Sequence, residues 1–90
     1  RAVKDMDAIK ETLFNYIRNS FDIEDDDEDL TADVHLFDYG YIDSFGAVKL
    51  ISFIEENYGV KITNRDLMMY SLNTINEITD LIKTKLEDKK

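Results

Sequence analysis

Apolar residues in this chain recur at steps of three and four, and no segment alternates convincingly as a strand would, so the sequence is written for helices. Met6, Ile9, Leu13, Ile17 and Phe21 form one such stripe, which predicts helix 1 over about 5–19. Asp43 is placed as the N-cap of a second helix over about 44–57, with Ala47, Leu50, Ile51, Ile54 and Tyr58 inward and Gly59 as its stop. A short third helix over about 64–70 takes Thr63 or Asn64 as its cap and has Leu67 and Met68 for packing. Thr74 and Glu77 read as a capping box, followed by Ile75, Ile78, Ile82 and Leu86 in a fourth helix over about 75–87. There is no proline and no visible repeat. The expected fold is all-α: one domain across residues 1–90, a small four-helix bundle of three longer helices and a short helix 3, with a long loop over 20–42.

Ninety residues enclose one modest core and leave little room for a deep catalytic cleft. At 43% hydrophobic residues the composition is too apolar for full disorder. Twenty Asp and Glu against eleven Lys and Arg give a net charge of −9, which repels phosphate backbones and anionic headgroups and argues against nucleic acid as a partner. The same field attracts proteins with basic docking surfaces, and it favours a monomer with weak, brief contacts. The absence of cysteine removes disulfides, thiolate metal sites and a cysteine nucleophile, so any thiol chemistry must be imported. No apolar run is long enough to insert across a bilayer and the first residues lack a signal-peptide core, which makes a cytoplasmic setting the default expectation.

Between the first two stripes, the acidic run Asp22 to Asp29 is expected to be solvated loop. Leu30, Val34, Leu36, Phe37 and Ile42 follow with no common period, as anchors of a loop pinned to the core. Calcium binding by this acidic loop is one alternative function, but an EF-hand needs glycine at its sixth position and glutamate at its twelfth. Counted from Asp25 those places hold Leu30 and Leu36; counted from Asp22 they hold Asp27 and Asp33. No metal site is expected. His35, the lone histidine, has no recognisable nucleophile partner, and no enzymatic activity is expected of the chain itself.

The segment Gly40-Tyr41-Ile42-Asp43-Ser44-Phe45 carries whatever chemistry there is. A helix start offers unpaired N–H groups and the positive end of the macrodipole, worth roughly 0.3 to 1 kcal/mol to an anion at an exposed terminus. A phosphate esterified to Ser44 would sit where negative charge is favoured. Taken by itself, Asp-Ser before an apolar helix is a capping signal more often than a functional one. Gly46 in the first helical turn adds a second clue: either helix ends tolerate glycine there, or something approaches closely.

Gly40 to Phe45 followed by AVKLISFIEENYGVKI resembles the modification-site helix of the acyl carrier proteins. The order and spacing of the other segments resemble that family across almost the whole chain. The resemblance implies that Ser44 receives 4′-phosphopantetheine from coenzyme A through a phosphopantetheinyl transferase, with Asp43 capping the helix and helping the transferase dock. An acyl or aminoacyl group would then ride as a thioester, loaded by an activating ligase and removed by acyl-transferring enzymes. It also implies partner or cargo contact at Phe45, Gly46, Val48 and Lys49, with Ile62 and Met68 lining a groove between helices 2 and 3; core packing is the alternative for Ile62 and Met68. Carriers of fatty acid synthesis usually present acidic residues two and five places after the serine, where this chain has Gly46 and Lys49. Glycine after Asp-Ser-apolar resembles instead the D-alanyl and other discrete carriers of dedicated or specialised pathways. The remaining alternative is an unmodified helical interaction module docking through Phe45, Val48, Met68 and Met69.

Overall fold

The computed structural model describes residues 6–88. Among these every regular element is a helix: α1 (Met6–Ser20), α2 (Ser44–Tyr58), α3 (Asn64–Met69) and α4 (Ile75–Asp88). The helix start expected at position 5 and the packing of Met6 lie outside the described residues. The all-α class predicted by the three-and-four periodicity is the one the chain adopts.

Each helix ends for a local reason. Beyond α1, Asp22 takes the left-handed conformation (φ 55°), and the Ile23 N–H donates to the Arg18 carbonyl at 3.0 Å, a reversal that satisfies a terminal carbonyl. Helix α2 stops at Gly59, whose left-handed φ of 65° is free of the penalty a Cβ would impose. Thr63 caps α3 in a reciprocal box with Asp66. The Thr74–Glu77 box opens α4: the Glu77 N–H donates to Thr74 Oγ1 at 3.1 Å, and Glu77 Oε1 accepts from the N–H groups of Thr74 and Asn73.

Helix α4 is central, with α1 and α2 both packed against it. Two flanking helices bury more of it than one stripe, so Thr79 and Leu81 are enclosed together with Ile75, Ile78 and Ile82. Ile9, Leu13 and Ile17 of α1, and Leu50 and Ile54 of α2, complete this core. Helix α3 buries no residue. It is held instead by its cap and by an ion pair between Asp66 and Lys85 of α4, which keeps the Asp66 carboxyl below the usual carboxylate range, assisted by the Thr63 N–H.

Residues 21–43 contain only turns and bends, yet Leu30, Leu36 and Ile42 are buried in the core. The backbone of this loop is satisfied by distant partners. The Leu36 N–H donates to the Asn73 carbonyl at 2.8 Å, the Leu36 carbonyl accepts from Tyr41 (2.9 Å) and Ile42 (3.2 Å), and Asn76 at the start of α4 donates to the Ala32 carbonyl at 3.0 Å. Part of the acidic run is recruited as well: the Tyr41 hydroxyl donates to Asp27 Oδ1 at 3.0 Å, and the Tyr39 and Tyr41 rings stack with centroids 5.3 Å apart. Desolvation first, and then the Asp27 carboxylate, push the Tyr41 hydroxyl from 10.0 up to about 12.

Two outcomes follow from these contacts. Thr79 Oγ1 is shielded and has no hydrogen-bond partner among the described residues, so Thr79→Val should stabilise the fold by about 1 kcal/mol, read as a rise in thermal midpoint. The neutral form of Tyr41 is the one the fold favours. Stability is therefore unaffected by this group below its ordinary value of 10.0 and declines as pH rises from there toward about 12. An ultraviolet phenolate titration should lose its latest step in Tyr41→Phe.

Candidate functional site

The lead-in Tyr41-Ile42 is fastened by two N–H bonds to the Leu36 carbonyl, and Ile42 is buried, so the chain enters α2 from a fixed point. Asp43 sits in extended backbone and caps the helix, its Oδ1 accepting from the Gly46 N–H at 2.8 Å. Ser44 follows as the first helical residue and is exposed. The N–H groups of Ser44 and Phe45 find no acceptor among the described residues. An exposed hydroxyl therefore stands beside two unpaired amides at the positive end of a 15-residue helix.

Gly46, expected as a partner or cargo contact, is buried. The close approach comes from within the chain: a Cβ at this position would lie 2.7 Å from Phe21 Cε1 and 2.9 Å from Ile42 Cγ2. Phe21 is fixed in turn by Tyr16, whose ring meets it edge-on at 6.3 Å while stacking on Phe53 at 3.9 Å. Lys49 lays its ammonium 5.6 Å from the Phe21 ring centroid, a cation–π contact that covers the outer face of this layer.

Phe45 and Val48 project into solvent, 83% and 64% exposed. Val48 lies one helical turn beyond Ser44 on the same side of α2. A cavity of about 300 Å³ opens on another side of the helix. Ala47, Leu50, Ile51 and Ile54 of α2 form one wall, Leu67 of α3 and Ile78 of α4 contribute to the others, and Phe37, Tyr70, Leu72 and Asn73 come from the connections. Ile62 and Met68, expected to line a groove between helices 2 and 3, are not among the residues that line this cavity. Ile62 is half-buried against the core with its N–H on Glu55 Oε2 at 2.8 Å, and Met68 is 86% exposed. Leu67 belongs to α3, whereas Tyr70 is its C-cap in extended backbone, so the two reach the cavity from different elements. Phe21 was legible as the last apolar residue of the first stripe, but nothing local in the sequence announced its place against Gly46 or that of Asn73 in the cavity lining.

His35 does a structural job in the loop: its Nδ1 accepts from the Asp38 N–H at 3.0 Å, and its ring meets Phe37 edge-on at 6.2 Å. Among the described residues no group of three or more His, Cys, Asp or Glu side chains could hold a metal ion. No helix among them is long and apolar enough to cross a membrane.

Residues 11–82 match the family model described as phosphopantetheine attachment site. The chain belongs to that family. It is also similar to a D-alanyl carrier protein of Streptococcus suis (strain 05ZYH33), 36% identical over 70 residues that make up 78% of this chain and 85% of the relative. The cofactor of this family is 4′-phosphopantetheine, and the start of α2 suits it: a phosphodiester on Ser44 would meet two unpaired amides and a helix N-terminus, with open solvent for the arm beyond. The match and the helical end agree on the kind of group; the side chains decide how it is presented.

The packing under Ser44 is itself testable. Gly46→Ala gains helix propensity worth up to about 1 kcal/mol but forces a methyl into Phe21 and Ile42, an overpacking cost of about 1–3 kcal/mol. A net loss of stability is expected in chemical denaturation. Combining it with Phe21→Leu should recover part of the loss, because the atom the methyl meets is then gone.

Proposed function

We propose that Ser44 is the attachment point of 4′-phosphopantetheine and that the chain is an acyl or aminoacyl carrier serving a dedicated pathway. The observation that carries this reading is the exposed Ser44 hydroxyl as first residue of α2, behind the Asp43 cap, in a chain of the phosphopantetheine-attachment family.

In the attachment step the Ser44 oxygen attacks the pantetheine-linked phosphorus of coenzyme A. One phosphorus–oxygen bond forms, the bond to the adenosine bisphosphate leaving group breaks, and the hydroxyl proton passes to a base on the transferase. The chain's own residues act through position. Asp43 ties its carboxylate to the Gly46 N–H and so leaves the Ser44 and Phe45 amides for the phosphodiester. Ile42 and Leu36 hold the lead-in, and Phe21 against Gly46 fixes the first turn. When bound, the arm supplies the thiol that this cysteine-free chain lacks.

The partners in this reading are a phosphopantetheinyl transferase, an activating ligase that loads the arm, and an enzyme that takes the group onward. The carrier is a substrate of all three. Likeness to a D-alanyl carrier protein supports a dedicated ligase, as does the surface around Ser44, where Gly46 is buried and Lys49 places a positive charge on the outer side of α2. A basic partner surface that grips acidic residues on a carrier's second helix would meet the wrong sign at Lys49. Phe45 and Val48 then offer apolar contact beside the arm.

Incubation with coenzyme A and a broad transferase, followed by intact-mass measurement, should add one phosphopantetheine to the native chain and none to Ser44→Ala. Modification persisting in that variant would move the attachment to another residue and overturn the assignment.

A further inference from the structure

Within the loop, residues 36–40 form a single turn with its own start and stop. At its end the Gly40 N–H donates to the Phe37 carbonyl at 3.1 Å and the Tyr41 N–H to the Leu36 carbonyl at 2.9 Å, with Gly40 left-handed (φ 88°); this pair of bonds is one that closes helices. At its start the Tyr39 N–H donates to the His35 carbonyl at 3.0 Å, and the Asp38 N–H donates to His35 Nδ1 at 3.0 Å. His35 is therefore the N-cap of this turn. Its side chain accepts from the residue three places on, as Asp43, Thr63 and Thr74 do at the starts of α2, α3 and α4.

Those three caps accept through oxygen, whereas His35 accepts through an imidazole nitrogen. A ring nitrogen accepts only while it carries no proton, so the cap requires the neutral ring with its proton on Nε2. Histidine is also the side chain whose ordinary titration falls between about pH 5 and 8. Among the described residues the one charged group within ion-pair reach of the ring is Asp38, with Oδ2 3.7 Å from Nδ1. Asp33, two residues earlier, has its Oδ1 engaged by the Asn76 side chain of α4. A proton on Nδ1 turns the acceptor into a donor: the Asp38 N–H loses its partner and the ring is drawn to the Asp38 carboxylate. The turn is then released at its start, and its other end is the pair of N–H bonds to Leu36 that delivers Asp43 and Ser44.

We propose that His35 is a proton-controlled positioning residue: neutral, it caps the turn that carries the chain to Ser44, and protonated, it loosens that turn and slows attachment at Ser44. The effect on attachment rests on the carrier reading above. The effect on the turn stands on the His35–Asp38 bond alone.

Because His35 is the lone histidine, a proton–nitrogen NMR correlation of its ring reads tautomer and protonation directly. At about pH 8 the proton should sit on Nε2, and toward about pH 5 the amide signals of Asp38, Tyr41, Ile42 and Ser44 should move with the same midpoint as the ring. His35→Asn supplies an oxygen acceptor suited to an N-cap and no titration, so in that variant the four amides should stay in place across the same interval. Attachment is read as the initial rate of phosphopantetheine transfer from coenzyme A by a broad transferase, with the carrier below its KM. The native rate is divided by that of His35→Asn, which cancels the transferase's own pH response. The ratio should be near unity at about pH 8 and fall roughly two- to fivefold at about pH 5. His35→Leu, with no acceptor at any pH, should show the lower rate relative to His35→Asn at both. The inference is overturned if Nδ1 carries the proton at the higher pH, if the Tyr41, Ile42 and Ser44 amides do not follow the ring, or if the ratio ignores pH. A native chain that gains no arm at either pH would sink the carrier reading and the attachment role with it; normal uptake with an unchanging ratio sinks this inference alone.

Discussion

Leu36 makes the contact on which the functional end of the molecule depends. Its side chain is fully buried in the core, while its N–H reaches the Asn73 carbonyl and its carbonyl receives Tyr41 and Ile42. One residue of an irregular loop thereby joins the connection that lines the cavity to the segment that delivers Ser44. Buried backbone groups must be paired, and a long loop without its own ladder has to find distant partners or stay in water. Here that requirement is met at the place where a reproducible approach to α2 matters most.

A second layer lies over the first turn of α2. Glycine at position 46 lets the Phe21 ring come closer than any side chain would permit, and Tyr16 and Lys49 hold that ring from its edge and its outer face. The lysine that departs from the acidic pattern of fatty-acid-synthesis carriers therefore has an internal partner as well as an outward charge. Both unusual residues after the serine belong to one packing arrangement. The surface that follows Ser44 is shaped from beneath, and Phe45 and Val48 are its exposed apolar residues.

What could be read in the sequence was what neighbours three or four residues apart decide. The capping box of Thr74 and Glu77, the cap at Asp43 and the stop at Gly59 are local, and the structure contains each of them. The attachment family was legible from Asp43-Ser44-Phe45 in its helical context. Gly46 was ambiguous because its neighbour, Phe21, sits beyond the end of α1, across the whole loop. Leu30, Leu36 and Ile42 read as anchors without period, but no local rule says that Leu36 meets Asn73. At the end of α3 the four consecutive apolar residues Leu67 to Tyr70 hid which of them face inward: the cavity is lined by Leu67 and Tyr70, while Met68 is exposed.

Helix α3 differs in kind from its neighbours because it has no buried residue to anchor it. The other three helices are held by hydrophobic burial, which is indifferent to salt and to proton concentration over a wide range. This one is held by a carboxylate that Lys85 and the Thr63 N–H keep ionised, an attachment present above the ordinary carboxylate range and lost as pH falls through the depressed value of Asp66. Ionic strength weakens it further by screening. Acid and salt therefore act on the attachment of one wall of the cavity and leave the apolar contacts of the core untouched.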